Sequence, residues 1–149
     1  MDALRVNCYI HAPIEKVFDA VSDHEAFFTG GRITLSKVVR PGAKNRNGLG
    51  CLREVKTTRV RFVEEITSFD PPDCFEYMIR ECSLPIRHEG SRVELTRRGT
   101  GTEVDWTATF EVPVPLLGRM LTRMWQNALV VEFTRLLIQA KGRLEGSGP

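Results

Sequence analysis

The sequence predicts an α+β fold in which a curved antiparallel sheet of six or seven strands wraps around one long C-terminal helix, with two short helices after the first strand. Three observations predict it. Apolar and polar residues alternate along successive short segments, as in Phe75, Tyr77 and Ile79 against Glu76, Met78 and Arg80. The turns between these segments are too short for a parallel crossover, so neighbouring strands must run antiparallel. Finally, residues 116–141 contain no proline and form the only element large enough to cover the apolar face of the sheet.

The elements follow in order. In residues 3–11, Leu4, Val6, Cys8 and Ile10 alternate with Arg5, Asn7 and Tyr9, which reads as a strand. Pro13 suits a first helical turn, and Ile14, Val17, Phe18 and Val21 continue at helical spacing. Ser22 and Asp23 can cap a second short helix carrying Phe27 and Phe28, which Gly30-Gly31 ends. Strands are expected over 33–39, 49–55, 60–69, 74–82, 92–97 and 103–112. They are separated by Pro41-Gly42 and the polar loop 43–48, by Asp70-Pro71-Pro72, by a link containing Pro85, and by the Gly99-Thr100-Gly101 turn. Val104, Trp106, Ala108 and Phe110 share one face of the last strand, which Pro113 and Pro115 end. The closing helix has an apolar stripe of Leu117, Leu121, Met124, Trp125, Ala128 and Leu129, which farther along shifts toward Phe133, Leu136 and Leu137, and at ~1.5 Å per residue it is close to ~40 Å long. The tail, 143–149, is expected to fray.

The 149 residues suit one domain spanning the whole chain, and 42% hydrophobic with 27% charged residues is a globular balance rather than a disordered one. A net charge of +2, with arginines interleaved among acids, does not provide the clustered positive charge of a nucleic-acid binder. No stretch approaches the ~20 apolar residues of an integral membrane segment, and residues 1–10 lack the apolar run of a secretory signal. A cytoplasmic protein, monomeric or homodimeric, is expected. Cys8, Cys51, Cys74 and Cys82 form no C-x-x-C pair and read as reduced thiols. His11, His24 and His88 have no metal-ligand spacing, and no nucleotide or nucleophile motif is present, so neither a metal nor a cofactor is expected.

Four stretches carry a family resemblance across nearly the whole chain. They are His11-Ala12-Pro13-Ile14-Glu15-Lys16-Val17-Phe18-Asp19, Glu65-Ile66-Thr67-Ser68-Phe69-Asp70-Pro71-Pro72 leading to Phe75-Glu76-Tyr77, Ser83-Leu84-Pro85-Ile86, and Gly99-Thr100-Gly101-Thr102-Glu103-Val104-Asp105-Trp106. With them the chain resembles the START-related superfamily, also called SRPBCC, and more closely its bacterial polyketide cyclase/dehydrase and lipid transport branch. The resemblance implies the helix-grip fold with an internal cavity. The superfamily includes lipid carriers, hormone receptors, quinone-binding proteins and aromatase/cyclases, so it does not itself choose an activity.

The candidate cavity residues are Phe28, Arg53, Phe62, Tyr77, Glu81, His88, Trp106, Phe110, Met120, Met124 and Trp125. The aromatic residues fall on the concave strand faces, where they either fill a core or line a pocket. Tyr77 and Trp106 also need a polar partner once buried. Met120, Met124 and Trp125 lie together on the closing helix, where they either fill gaps in a core or form a wall that adapts to a ligand. Glu81 continues the Phe75-Tyr77-Ile79 face, where it would need a partner inside, or else lies at the strand end, already in water. Arg53 could be that partner, or could grip a ligand carboxylate. His88, beyond Pro85, stands where a proton donor at the mouth would be, or in solvent. Glu132 and Arg135 have the spacing of a surface ion pair.

Two functions compete on this reading. One is binding or carriage of an apolar small molecule such as a lipid, isoprenoid or polyketide-like ring system. The other is an enzyme that cyclises or dehydrates a poly-β-keto or aromatic substrate, with Arg53, Tyr77, Glu81 or His88 moving a proton. Convergence of several polar groups inside the cavity favours the enzyme. A cavity well below ~300 Å³ favours a third role, an interaction module.

Overall fold

In the computed structural model, which describes residues 3–146, the elements run β1 (Ala3–Ile10), α1 (Ile14–Ser22), α2 (His24–Phe27), β2 (Ile33–Arg40), β3 (Leu52–Thr57), β4 (Arg61–Asp70), β5 (Cys74–Cys82), β6 (Arg87–Arg98), β7 (Gly101–Glu111) and α3 (Gly118–Gly146). The seven strands form one antiparallel sheet in the order β1-β7-β6-β5-β4-β3-β2. Each neighbour but one is also the next in sequence; the exception brings the first strand against the last. Leu4 opposite Ala108 and Val6 opposite Trp106 set that register and put the apolar sides of both strands on one face. α3 packs across β1 and β7 in the curve of the sheet. This is the helix-grip fold.

The short helices close one end. Ile14, Val17, Phe18 and Val21 are buried on α1, and the Phe18 ring stands edge-on to Phe69 at 5.3 Å and Phe75 at 5.9 Å. Asp23 caps α2 by accepting a hydrogen bond from the Ala26 N–H. The chain then turns at Gly30 and Gly31, both at positive φ, and a Cβ on Gly31 would meet the Arg135 guanidinium at 2.9 Å. Arg135 Nη1 and Gln139 Nε2 both donate to the Thr29 carbonyl, at 3.2 and 3.1 Å, and so tie this turn to α3.

Three boundaries differ from expectation by more than two residues. β6 begins at Arg87 rather than 92, because a register shift between His88 and Gly90, with Gly90 at φ 140°, interrupts the alternation by which the strand would be read. β3 begins at Leu52, after a turn through Gly50 at φ 87°. α3 continues through Arg143–Gly146, where fraying was expected: Glu145 accepts from the His11 N–H and from Lys141, and Arg143 donates to the Ala26 carbonyl. Residues 147–149 of that tail lie outside the described residues.

The larger correction is the face of α3. Its buried residues are Phe133, Leu136, Leu137 and Ala140, whereas Met120, Met124, Val131 and Ile138 are exposed, as is Leu117 in the turn just before it. The expected stripe followed the first half of the helix. The sheet instead holds the second half, where the Phe133 ring stacks on Trp106 with centroids 3.7 Å apart.

Candidate functional site

Between α3 and the concave face of the sheet lies a cavity of about 120 Å³. Of the expected residues, it brings together Phe28, Phe62, Tyr77, His88, Trp106 and Phe110. Each strand residue reaches it by the period-two geometry of its strand; β7 contributes Trp106, Ala108 and Phe110 in succession. From α3 come Leu129, Glu132, Phe133 and Leu136. These helix positions lie on average about two to three turns beyond the expected ones, for the reason just given.

Met120 and Met124 are 53% and 55% exposed and face away from the cavity. Trp125 packs partly buried against the core without reaching the cavity wall. Glu81 is corrected as well. The β4–β5 register shifts between Val63 and Glu64, so that Val63 faces Glu81 and Glu64 faces Ile79. The irregularity turns Glu81 outward, with its side chain 63% exposed and 4.0 Å from Arg61.

Arg53 is buried, but its partner is Glu64, with Nε donating to Oε1 at 2.9 Å. Nη1 donates to His24 Nδ1 at 2.9 Å. That fixes the His24 proton on Nε2, which donates to the Asn47 carbonyl at 2.9 Å. Burial, with the adjacent Arg53 charge, lowers the His24 pKa to about 3. The guanidinium carbon lies 4.3 Å from the Tyr77 ring centre and 4.6 Å from that of Phe28, a cation–π placement on two aromatic faces. Nη2 has no hydrogen-bond partner among the described residues. Arg53 therefore sits behind the cavity wall, in the packing beneath Tyr77 and Phe28, and does not extend toward a ligand.

A second polar chain does border the cavity. Trp106 Nε1–H donates to the Tyr77 hydroxyl at 2.8 Å. Ser91, opposite Tyr77 in register, is the other hydrogen-bonding neighbour of that phenol. Ser91 Oγ lies 2.8 Å from His88 Nε2, and His88 Nδ1 accepts from the Ile79 N–H at 3.0 Å. The backbone bond leaves the imidazole proton on Nε2, so His88 donates to Ser91. Burial lowers His88 to about 4 and raises Tyr77 to about 12. Ser91 was not singled out from the sequence, and Ala108 and Phe133 read there as apolar-face residues but not as cavity residues. Ser91 lies in the bulged start of β6, and its strand was not read that far. The Phe133-Leu136-Leu137-Ala140 spacing was the available signal for Phe133.

A family model described as polyketide cyclase / dehydrase and lipid transport matches residues 1–145. The chain belongs to that family. Membership and fold together support a hydrophobic-ligand-binding function. Among curated proteins, no relative matches. Solved structures share the fold. The protein TTHA0849 of Thermus thermophilus is 22% identical with a TM-score of 0.77, over 99% of this chain and 100% of that one. A START superfamily protein from Mycobacterium smegmatis is 16% identical with a TM-score of 0.74, over 98% and 99%. The Aha1 dimer from Colwellia psychrerythraea is 15% identical with a TM-score of 0.67, over 99% and 100%. No helix among the described residues is long and apolar enough to cross a membrane.

Proposed function

We infer that the protein binds and carries a small apolar molecule, or the apolar end of a larger one, in the cavity beneath Trp106. The ligand class is lipid-, isoprenoid- or polyketide-like. The observation that carries this reading is the character of the wall: mostly aromatic and aliphatic side chains, with polar groups already paired, Trp106, Tyr77, Ser91 and His88 in one chain, Glu64 with Arg53 and Glu132 with Arg135. Volume limits the ligand. At about 120 Å³ the cavity is smaller than the ~300 Å³ of ordinary small-molecule sites, and close to the ~150 Å³ apolar cavity that accepts benzene. A ring or a short branched chain fits, and a whole sterol or long acyl chain does not.

The cyclase or dehydratase reading draws on Tyr77 and His88 meeting at this wall. Against it, an effective acid or base has a pKa near the working pH. A histidine at about 4 and a tyrosine at about 12 both lie far from neutrality. Carriage is the better account. The interaction-module reading is favoured by the volume alone.

The test is native mass spectrometry of freshly purified protein, followed by titration of Trp125→Phe protein with cyclohexanol or a short-chain terpene while Trp106 emission is read. A co-purifying small molecule or a saturable emission change is expected. No bound mass and no change with either probe would favour the interaction module.

A further inference from the structure

Next to the cavity, where β7 leads into α3, lies an open cleft of about 810 Å³. The two spaces adjoin. Phe110 lines both, and on α3 the cleft residue Gln126 and the cavity residue Leu129 lie one turn apart.

The charge of the cleft is one-sided. Arg87, Arg119 and Arg123 line it against the single carboxylate of Glu111, which pairs with Arg87. Among the described residues, Arg119 and Arg123 have no carboxylate within ion-pair distance. Residues 112–131 contain no Asp or Glu at all. The placement of the two arginines is also unfavourable to the helix. Like charges four residues apart on a helix repel, and cations in its first turns oppose the macrodipole. An anion in the cleft would relieve both.

We propose that the cleft is a head-group subsite, and that the ligand is an anionic amphiphile whose carboxylate is held by Arg119 and Arg123 while its apolar end enters the cavity. This rests on the ligand-binding reading above and narrows its ligand class. It also fits the dimensions, since the small inner chamber takes only one end of a molecule and the cleft gives room to the rest. Guanidinium groups match a carboxylate with paired N–H donors, and such charge-assisted bonds are stronger than neutral ones.

The experiment is calorimetric titration of the full chain with straight-chain acids of six to fourteen carbons and with 4-phenylbutyrate, each against the matching alcohol. The acid should bind about tenfold more tightly than its alcohol, and the preference should shrink as salt is raised. In Arg119→Gln/Arg123→Gln protein the acid should lose about tenfold while the alcohol changes less than about twofold. Both side chains are exposed, so the variant should keep the wild-type melting temperature. Equal affinity of acid and alcohol for the wild type overturns the subsite and leaves the cavity reading standing, as does an acid preference that survives the double substitution. If no member of either series binds, both readings fall.

Discussion

Arg53 is the hardest side chain in the molecule to accommodate. It is 1% exposed, and its charge is balanced by Glu64, oriented by His24 and covered by two rings. Breaking a buried ion pair from one side leaves the other charge unpaired, whereas an apolar residue of similar volume in place of both partners is often tolerated. Arg53→Ala should therefore lose about 3–5 kcal/mol in urea denaturation, and Arg53→Met/Glu64→Leu should recover most of it. A loss below about 1 kcal/mol for Arg53→Ala would show that the network contributes little. The buried His24 and the half-buried His88 give a pH signature. His24 and His88 titrate in the fold at about 3 and about 4, below their usual value of 6.5. An unfolded histidine takes up its proton as pH falls through about 6.5, and the folded one does so only near 3 or 4. Their contribution is thus complete above about pH 6.5 and is lost as pH falls below it, by up to about 1.4 kcal/mol per unit for each group. Denaturation midpoints at pH 7.5, 6.0 and 5.0 should fall in that order. His24→Gln/His88→Gln should flatten the trend, and an unchanged slope in that variant would place its origin elsewhere.

At the scale of elements, α3 has apolar residues on opposite faces, and only tertiary packing decides between them. Met124, Val131 and Ile138 repeat every seven residues on the exposed side, while Phe133, Leu136, Leu137 and Ala140 form the buried one. Periodicity therefore identified a helix and could not choose its face. Two substitutions separate the sides. Leu136→Ala, at a position 1% exposed, should cost about 2–5 kcal/mol. Met124→Trp, at 55% exposure, should change stability by less than about 0.5 kcal/mol and leave ligand binding as it was. Loss of binding on Met124→Trp would return that residue to the cavity wall. The strands were legible for the opposite reason. β5 and β7 each have one apolar and one polar side, so period two has a single solution. Reading failed where bulges break the period: Glu81, beyond the β4–β5 shift, was placed inward, and Ser91, beyond the β5–β6 loop and the Gly90 irregularity, was passed over.

For the whole molecule, the grip of sheet on helix follows from element order, because one long helix at the end of seven strands has only one apolar face to cover. The cavity does not follow in the same way. Its size is the small difference between the curve of the sheet and the side chains that fill it, and a few methylene groups decide whether about 120 Å³ remains. Ala108 is where that difference is most open to test. It lies midway between Trp106 and Phe110 on the inward face of β7, is 4% exposed, and lines the cavity with the smallest side chain there. Ala108→Leu would extend three further carbons into the chamber. In a close-packed core an insertion of that kind costs about 1–3 kcal/mol or more through forced rotamers and backbone shifts. In an open chamber it gains contacts and apolar burial, so the melting temperature should hold or rise. Binding of a ring-sized probe, read by Trp106 emission, should weaken at least about tenfold, equivalent to ~1.4 kcal/mol. A destabilised Ala108→Leu protein would mean that the space closes in solution and the site is packed core. A stable variant that still binds the probe would place the ligand elsewhere on the molecule.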